Sequence, residues 1–120
     1  MSAVYLTTDL MFSSRVASDA QSVGVIVEVA HSAKALLEKL DKDNTKLVLI
    51  DLGISHDGLA DLVAEIRTEA PQAAIIAYGP HVREDLLQTA TDAGCDQVLT
   101  KGQFNNNAKD LLETYCASGE

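Results

Sequence analysis

Basic residues are scarce in this chain, cysteines number only two, and no apolar stretch runs for long. The 120 residues carry 9 lysines and arginines against 18 acids, a formal charge of −9. The acids are spread over both halves with no basic block, so the surface repels phosphate backbones and anionic lipid, which argues against nucleic-acid and membrane partners. Cys95 and Cys116 have neither metal-site spacing nor the density of a disulfide scaffold, which points to packing roles in a reduced, cytoplasmic setting. No apolar run approaches the roughly 20 residues of a membrane helix. The opening MSAVYLTTD lacks the basic and then apolar regions of an export signal. A glycine-rich phosphate loop is missing too: the first strand-like run is followed by TTDLMF, which gives no support to a nucleotide or flavin site.

What the chain has is a regular alternation. With 47% apolar residues it can build one continuous core, and residues 1–120 are expected to form a single domain. AVYLT (3–7), VIVEVA (25–30), LVLID (47–51), AAIIAY (73–78) and QVLT (97–100) read as strands. Between and after them apolar residues recur at three and four positions, predicting five amphipathic helices: Phe12, Val16, Ala20 and Val23; Ala33, Leu36, Leu37 and Leu40; Leu59, Leu62, Val63 and Ile66; Val82, Leu86, Ala90 and Ala93; and Ala108, Leu111, Leu112 and Tyr115. Ser32 is placed to cap the second helix, Asp57 and Gly58 to open the third, Pro71 to turn before the fourth strand, and Gly94 to end the fourth helix. Asn105 to Asn107 read as the exposed start of the last helix. Five strand–helix units predict an α/β fold, a flavodoxin-like, doubly wound (βα)5 with a parallel five-stranded sheet of order 2-1-3-4-5. The third strand, apolar at every position before Asp51, belongs in the middle.

In such a sheet ligands sit beyond the carboxyl ends of the strands, where the order reverses, here between strands 1 and 3. Asp51 at the end of strand 3 then lies beside Thr7, Thr8 and Asp9 at the end of strand 1. Lys101, at the end of strand 5, can reach over from beyond Tyr78 and Gly79. This set suits an anion, a cation or an acyl phosphate. The plain structural alternative, in which Asp51 caps its loop and Lys101 is solvated, is not excluded by pattern alone.

From strand 1 to helix 5 the chain resembles the receiver domain of two-component response regulators. LVLID matches the strand of the phospho-accepting aspartate, Asp57–Gly58 the pair opening helix 3, and AGCDQVLTK the strand that ends on a lysine. The resemblance implies Asp51 as phosphoacceptor and Lys101 as the residue pairing with the phosphoryl oxygens. It also implies a protein partner: a histidine kinase, an output domain or another signalling protein. Departures from the pattern are equally specific. The adjacent acids that hold Mg²⁺ in receivers fall on Thr7 and Thr8, with Asp9 matching only the acid that often follows. The switch hydroxyl falls on Gly79, or on Tyr78 with one deletion. The switch aromatic falls on Val98, and Gly102 stands where a proline usually follows the lysine.

Two hydroxyls are a poor exchange for two carboxylates. At 4 Å a charge pair is worth about 4 kcal/mol at an effective dielectric of 20, and a divalent ion doubles it. No resident cofactor is therefore expected, with Mg²⁺ held weakly through Asp9 and Asp51 if at all. The expected function is an atypical, non-enzymatic pseudo-receiver acting through protein contacts on the strand 4 to helix 5 face, where Tyr78, Pro80, His81, Arg83 and the Phe104 corner would be presented. Core packing is the alternative for Tyr78 and the favoured reading for Phe104, since aromatics at element starts usually pack inward. A working phospho-receiver using Asp51 is the second reading. The third is a small-molecule or metal-binding α/β protein, for which His31, His56 and His81 with Asp51 are the candidate ligands, though loop histidines are commonly just solvated.

Overall fold

The structure is a computed structural model describing residues 2–53 and 58–117. In chain order it runs β1 (Ser2–Leu6), α1 (Leu10–Ser22), β2 (Ile26–Ala30), α2 (Ala33–Lys39), β3 (Thr45–Asp51), α3 (Leu59–Glu69), β4 (Ala74–Gly79), α4 (Glu84–Ala93), β5 (Gln97–Thr100) and α5 (Lys101–Leu112), closing on one wide π-helical turn, Glu113–Ala117. The strands are all parallel and lie in the order β2-β1-β3-β4-β5, the flavodoxin-like arrangement expected from the alternation.

Successive strand residues face opposite sides of the sheet, so each central strand supplies two cores. Val4, Leu6, Val48, Ile50, Ile75 and Ala77 pack with Leu36, Leu59, Leu62, Val63, Ile66, Leu86 and Ala90 under α2, α3 and α4. Ala3, Tyr5, Leu47, Leu49, Ile76 and Tyr78 pack with Val16, Ala20, Phe104, Ala108, Leu111 and Leu112 under α1 and α5. β3 is central, and its Leu47 to Ile50 are buried; fully burying such side chains stabilises by about 1.5–3 kcal/mol each.

Most turn chemistry follows the sequence reading. Ser32 caps α2 by accepting from Ala35 N, Gly58 caps α3 at φ 70°, and Gly94 ends α4 at φ 97°, where a side chain would be strained. Asp57 and His56 lie outside the described residues.

Three expectations need correcting. α5 starts at Lys101 and not at Asn105, because Thr100 and Gln103 form a reciprocal capping box: the Thr100 hydroxyl accepts from Gln103 N at 3.1 Å and Gln103 Oε1 accepts from Thr100 N at 2.9 Å. Asn105 to Asn107 therefore lie within the helix, and Lys101 is its first residue and not the end of β5. Val82 precedes α4 and is 73% exposed, since the helix begins only at Glu84. Tyr78 is buried, at 1% exposure, because it faces the α1/α5 core and not the surface offered to partners; Phe104, at 0%, packs inward beside it as an aromatic at an element start is expected to.

Candidate functional site

Strand register assembles the crevice. Leu6 pairs with Ile50 and Asp51 pairs with Tyr78, so one step past the end of β1 brings Thr7 beside Asp51. Thr7, Asp51 and Tyr78 share the parity of Tyr5, Leu49 and Ile76, which places them in one row on the α1/α5 face of the three central strands. Thr7 N donates to Ala30 O at 3.0 Å, extending the ladder just beyond β1.

Thr7 is fully buried, and its Oγ1 donates to Asp51 Oδ2 at 2.7 Å while accepting from Asp9 N at 3.0 Å. The other Asp51 oxygen, Oδ1, accepts from Gly53 N at 2.8 Å. Glycine suits position 53: an added Cβ would sit 3.0 Å from Asp51 Oδ1. Thr8 points to solvent.

Asp9 is the N-cap of α1, its Oδ1 accepting from Phe12 N at 3.0 Å. Its Oδ2 lies 3.6 Å from Lys101 Nζ. The Phe12 amide, aided by Lys101 and opposed by partial burial, holds the Asp9 carboxyl below its ordinary value. Lys101 Nζ also sits over the Phe12 ring, 4.8 Å from its centroid. His31 Nδ1 lies 3.0 Å from Thr7 O. His81 is exposed, and among the described residues no three His, Cys, Asp or Glu side chains gather as a metal-binding group.

Beneath this lip lie four of the chain's five aromatic residues. Tyr78 stacks on Phe104 with centroids 4.2 Å apart and planes within 9°. Phe12 lies against Tyr78 and Phe104 at 6.1 and 6.3 Å, and Tyr5 against Phe104 at 5.9 Å. The Tyr5 and Tyr78 hydroxyls share a 2.5 Å hydrogen bond in which either is donor. Burial pushes the Tyr5 phenol up to about 12, and burial together with the Tyr5 hydroxyl raises Tyr78 further, so both stay protonated at ordinary pH.

Gly79 ends β4 facing the other way: a Cβ there would meet Leu52 and Leu87 at 3.5 and 3.6 Å, on the α4 side. Val98 is half-buried and packs into the α2–α4 core. Of the anticipated site residues, the structure brings Thr7, Asp51, Asp9 and Lys101 together at one lip, and sets Gly79 and Val98 to the opposite side of the sheet. Tyr5 was not singled out by sequence. Its position two residues before Thr7, on the same strand face, is the signal that places it under the site.

A doubly wound parallel sheet with a carboxylate at the tip of its central strand and a lysine across the crevice defines a flavodoxin-like α/β domain of signalling type. The chain belongs to the response regulator receiver domain family, whose model matches residues 10–114. It is 30% identical over 96 residues, covering 78% of this chain and 72% of the other, to an uncharacterized 14.6 kDa protein of Leptolyngbya boryana. A two-component response regulator from Clostridium difficile superposes with a TM-score of 0.76 at 13% identity, covering 95% of this chain and 93% of that one. The receiver domain of a sensor histidine kinase from Pseudomonas aeruginosa PAO1, which holds a magnesium ion in its active-site cleft, superposes at 0.75 with 14% identity and 95% coverage of both chains. At such identities these two likenesses are of fold.

Receiver domains are signalling domains that work with protein partners such as kinases and output domains. Among the described residues, no helix is long and apolar enough to cross a membrane.

Proposed function

We propose that this receiver is a pseudo-receiver: an interaction module of a phosphorelay that signals through protein contacts, with its phosphorylation chemistry impaired. The observation that carries this reading is the hydrogen bond from buried Thr7 to Asp51 Oδ2 at 2.7 Å, where receivers place metal-binding acids. Phosphoryl transfer to an aspartate needs a cation to neutralise charge spreading over the phosphoryl oxygens. Mg²⁺ demands near-octahedral oxygen ligation with carboxylate donors. The donors present fit it poorly. Both Asp51 oxygens already accept hydrogen bonds, Asp9 caps α1 and faces Lys101, and Thr7 and Thr8 bring no charge.

A phosphoryl group on Asp51 would compete for Lys101 with Asp9 and the Phe12 ring. Neither Tyr78 nor Gly79 offers a free hydroxyl at the tip of β4 to follow that group, since the Tyr78 hydroxyl is bonded to Tyr5 beneath the sheet lip. A ligand shifts a two-state equilibrium only through contacts that differ between the states, and here those contacts are lacking.

Incubation with a small-molecule phosphodonor and millimolar Mg²⁺, followed by intact-mass analysis, tests the reading. No phosphoryl adduct is expected in wild type or in Asp51→Asn. A stable adduct that disappears in Asp51→Asn would establish the working phospho-receiver instead.

A further inference from the structure

We infer that the hydrogen-bonded pair Tyr5–Tyr78, with the rings stacked on it, locks the first turns of α1 and α5 onto the sheet beneath the crevice. The surface these helices present is then set by packing and does not follow the charge on Asp51. This deepens the pseudo-receiver reading and rests on it for its biological meaning, while the structural claim stands by itself.

Tyr78 is the direct neighbour of Asp51 across β3 and β4, so a disturbance at Asp51 that travels along the row reaches Tyr78 first. Tyr78 cannot answer by moving alone. Its hydroxyl is buried and bonded to that of Tyr5 on β1, with β3 between them, and separation would break a buried hydrogen bond that spans the central strand. Its ring lies face to face with Phe104 of α5 at 4.2 Å. Phe104 and Phe12 of α1 stack at 6.3 Å and 22°. Outside the rings, Arg15 Nη1 of α1 donates to Asn105 Oδ1 of α5 at 2.6 Å, and Lys101 joins α5 to Asp9 and Phe12. Two β strands and two helix starts thus share one closely packed cluster. Close-packed interiors have discrete arrangements and do not yield by degrees, so the cluster holds one arrangement until a member is removed.

Amide shifts and hydrogen exchange of the ¹⁵N-labelled 120-residue chain read this out at residues 101–107 and 76–79. Tyr5→Phe and Tyr78→Phe each remove the same buried bond, and each is expected to speed exchange in the first turns of α5 about tenfold. In wild type, Asp51→Asn should move amides only near residues 7–9 and 51–53. In the Tyr78→Phe background the same Asp51→Asn change should reach α5. The inference is overturned if Asp51→Asn already moves α5 in wild type, or if neither tyrosine variant alters exchange there. Should Tyr78→Phe fold poorly, Tyr5→Phe carries the same comparison. A phosphoryl adduct on Asp51 would defeat the pseudo-receiver reading without touching these outcomes, and a null result in the tyrosine variants would defeat the lock and leave that reading in place.

Discussion

Lys101 Nζ lies 3.6 Å from Asp9 Oδ2, and the other oxygen of the same carboxylate caps α1 through the Phe12 amide. One side chain thereby fastens the start of α1 and faces the cation of α5. The Asp9 carboxyl is held below its ordinary value of 3.8, first by the Phe12 amide and then by Lys101. A carboxyl depressed on folding contributes stability that is present above its unfolded value and lost as pH falls through its folded value. Asp9→Asn keeps a capping oxygen but loses the charge. Chemical denaturation should therefore show wild type more stable than Asp9→Asn at pH 7, with the gap closing below pH 3.8. Asp9→Ala, which removes the cap as well, should cost about 1 kcal/mol below pH 3.8 and more than Asp9→Asn at pH 7.

The Thr7 hydroxyl is buried and bonded to a carboxylate, a setting in which a hydrogen bond is worth about 1.5–3 kcal/mol. Thr7→Val preserves the shape and removes the donor. Urea denaturation at pH 7 should register a loss of that size, larger than for Thr8→Val at the exposed neighbouring position, which should stay within about 0.5 kcal/mol. Equal losses at the two positions would mean that the Asp51 contact contributes nothing special.

Restoring two acids should restore the cation. Thr7→Asp with Thr8→Asp places one carboxylate beside Asp51 and a second at the exposed neighbouring position, and charge terms of several kcal/mol, even heavily discounted for solvation, predict Mg²⁺ binding at least ~100-fold tighter than wild type. Titration calorimetry measures the difference directly. Without Mg²⁺ the double variant should melt below wild type, because the new carboxylate in place of Thr7 would join Asp51 in a partly buried, like-charged pair, and added Mg²⁺ should recover the difference.

The fold was legible because its signals are redundant. β3 announces itself by Leu47, Val48, Leu49 and Ile50 in a row, α3 by Leu59, Leu62, Val63 and Ile66, all buried as their spacing requires. The crevice residues on β1 and β3 were legible through the topological rule, which needs only strand ends. Less legible was whatever depends on side-chain direction. Tyr78 looks like a surface aromatic beside a loop, and strand parity turns it inward onto Phe104. Lys101 was expected to reach toward Asp51, yet the capping box makes it the first residue of a helix whose side chain lies over Phe12 and toward Asp9. Neither contact follows from spacing, since Asp9 and Phe12 stand far from Lys101 in sequence.

That capping box invites a test of its own. Thr100 and Gln103 satisfy one another's backbone amides, and with Gly102 in the first turn α5 has little intrinsic propensity to begin at Lys101. Removing the hydroxyl in Thr100→Ala should cost about 1 kcal/mol in denaturant titrations. Thr100→Ser, which keeps an oxygen in place, should recover most of it. The first turn carries Lys101 over the Phe12 ring, so fraying it releases the lysine from Asp9 as well. In the Thr100→Ala background, Asp9→Asn should accordingly cost less than it does in wild type, a non-additivity that a double-mutant cycle measures. Strict additivity would mean that the cap and the ion pair act independently.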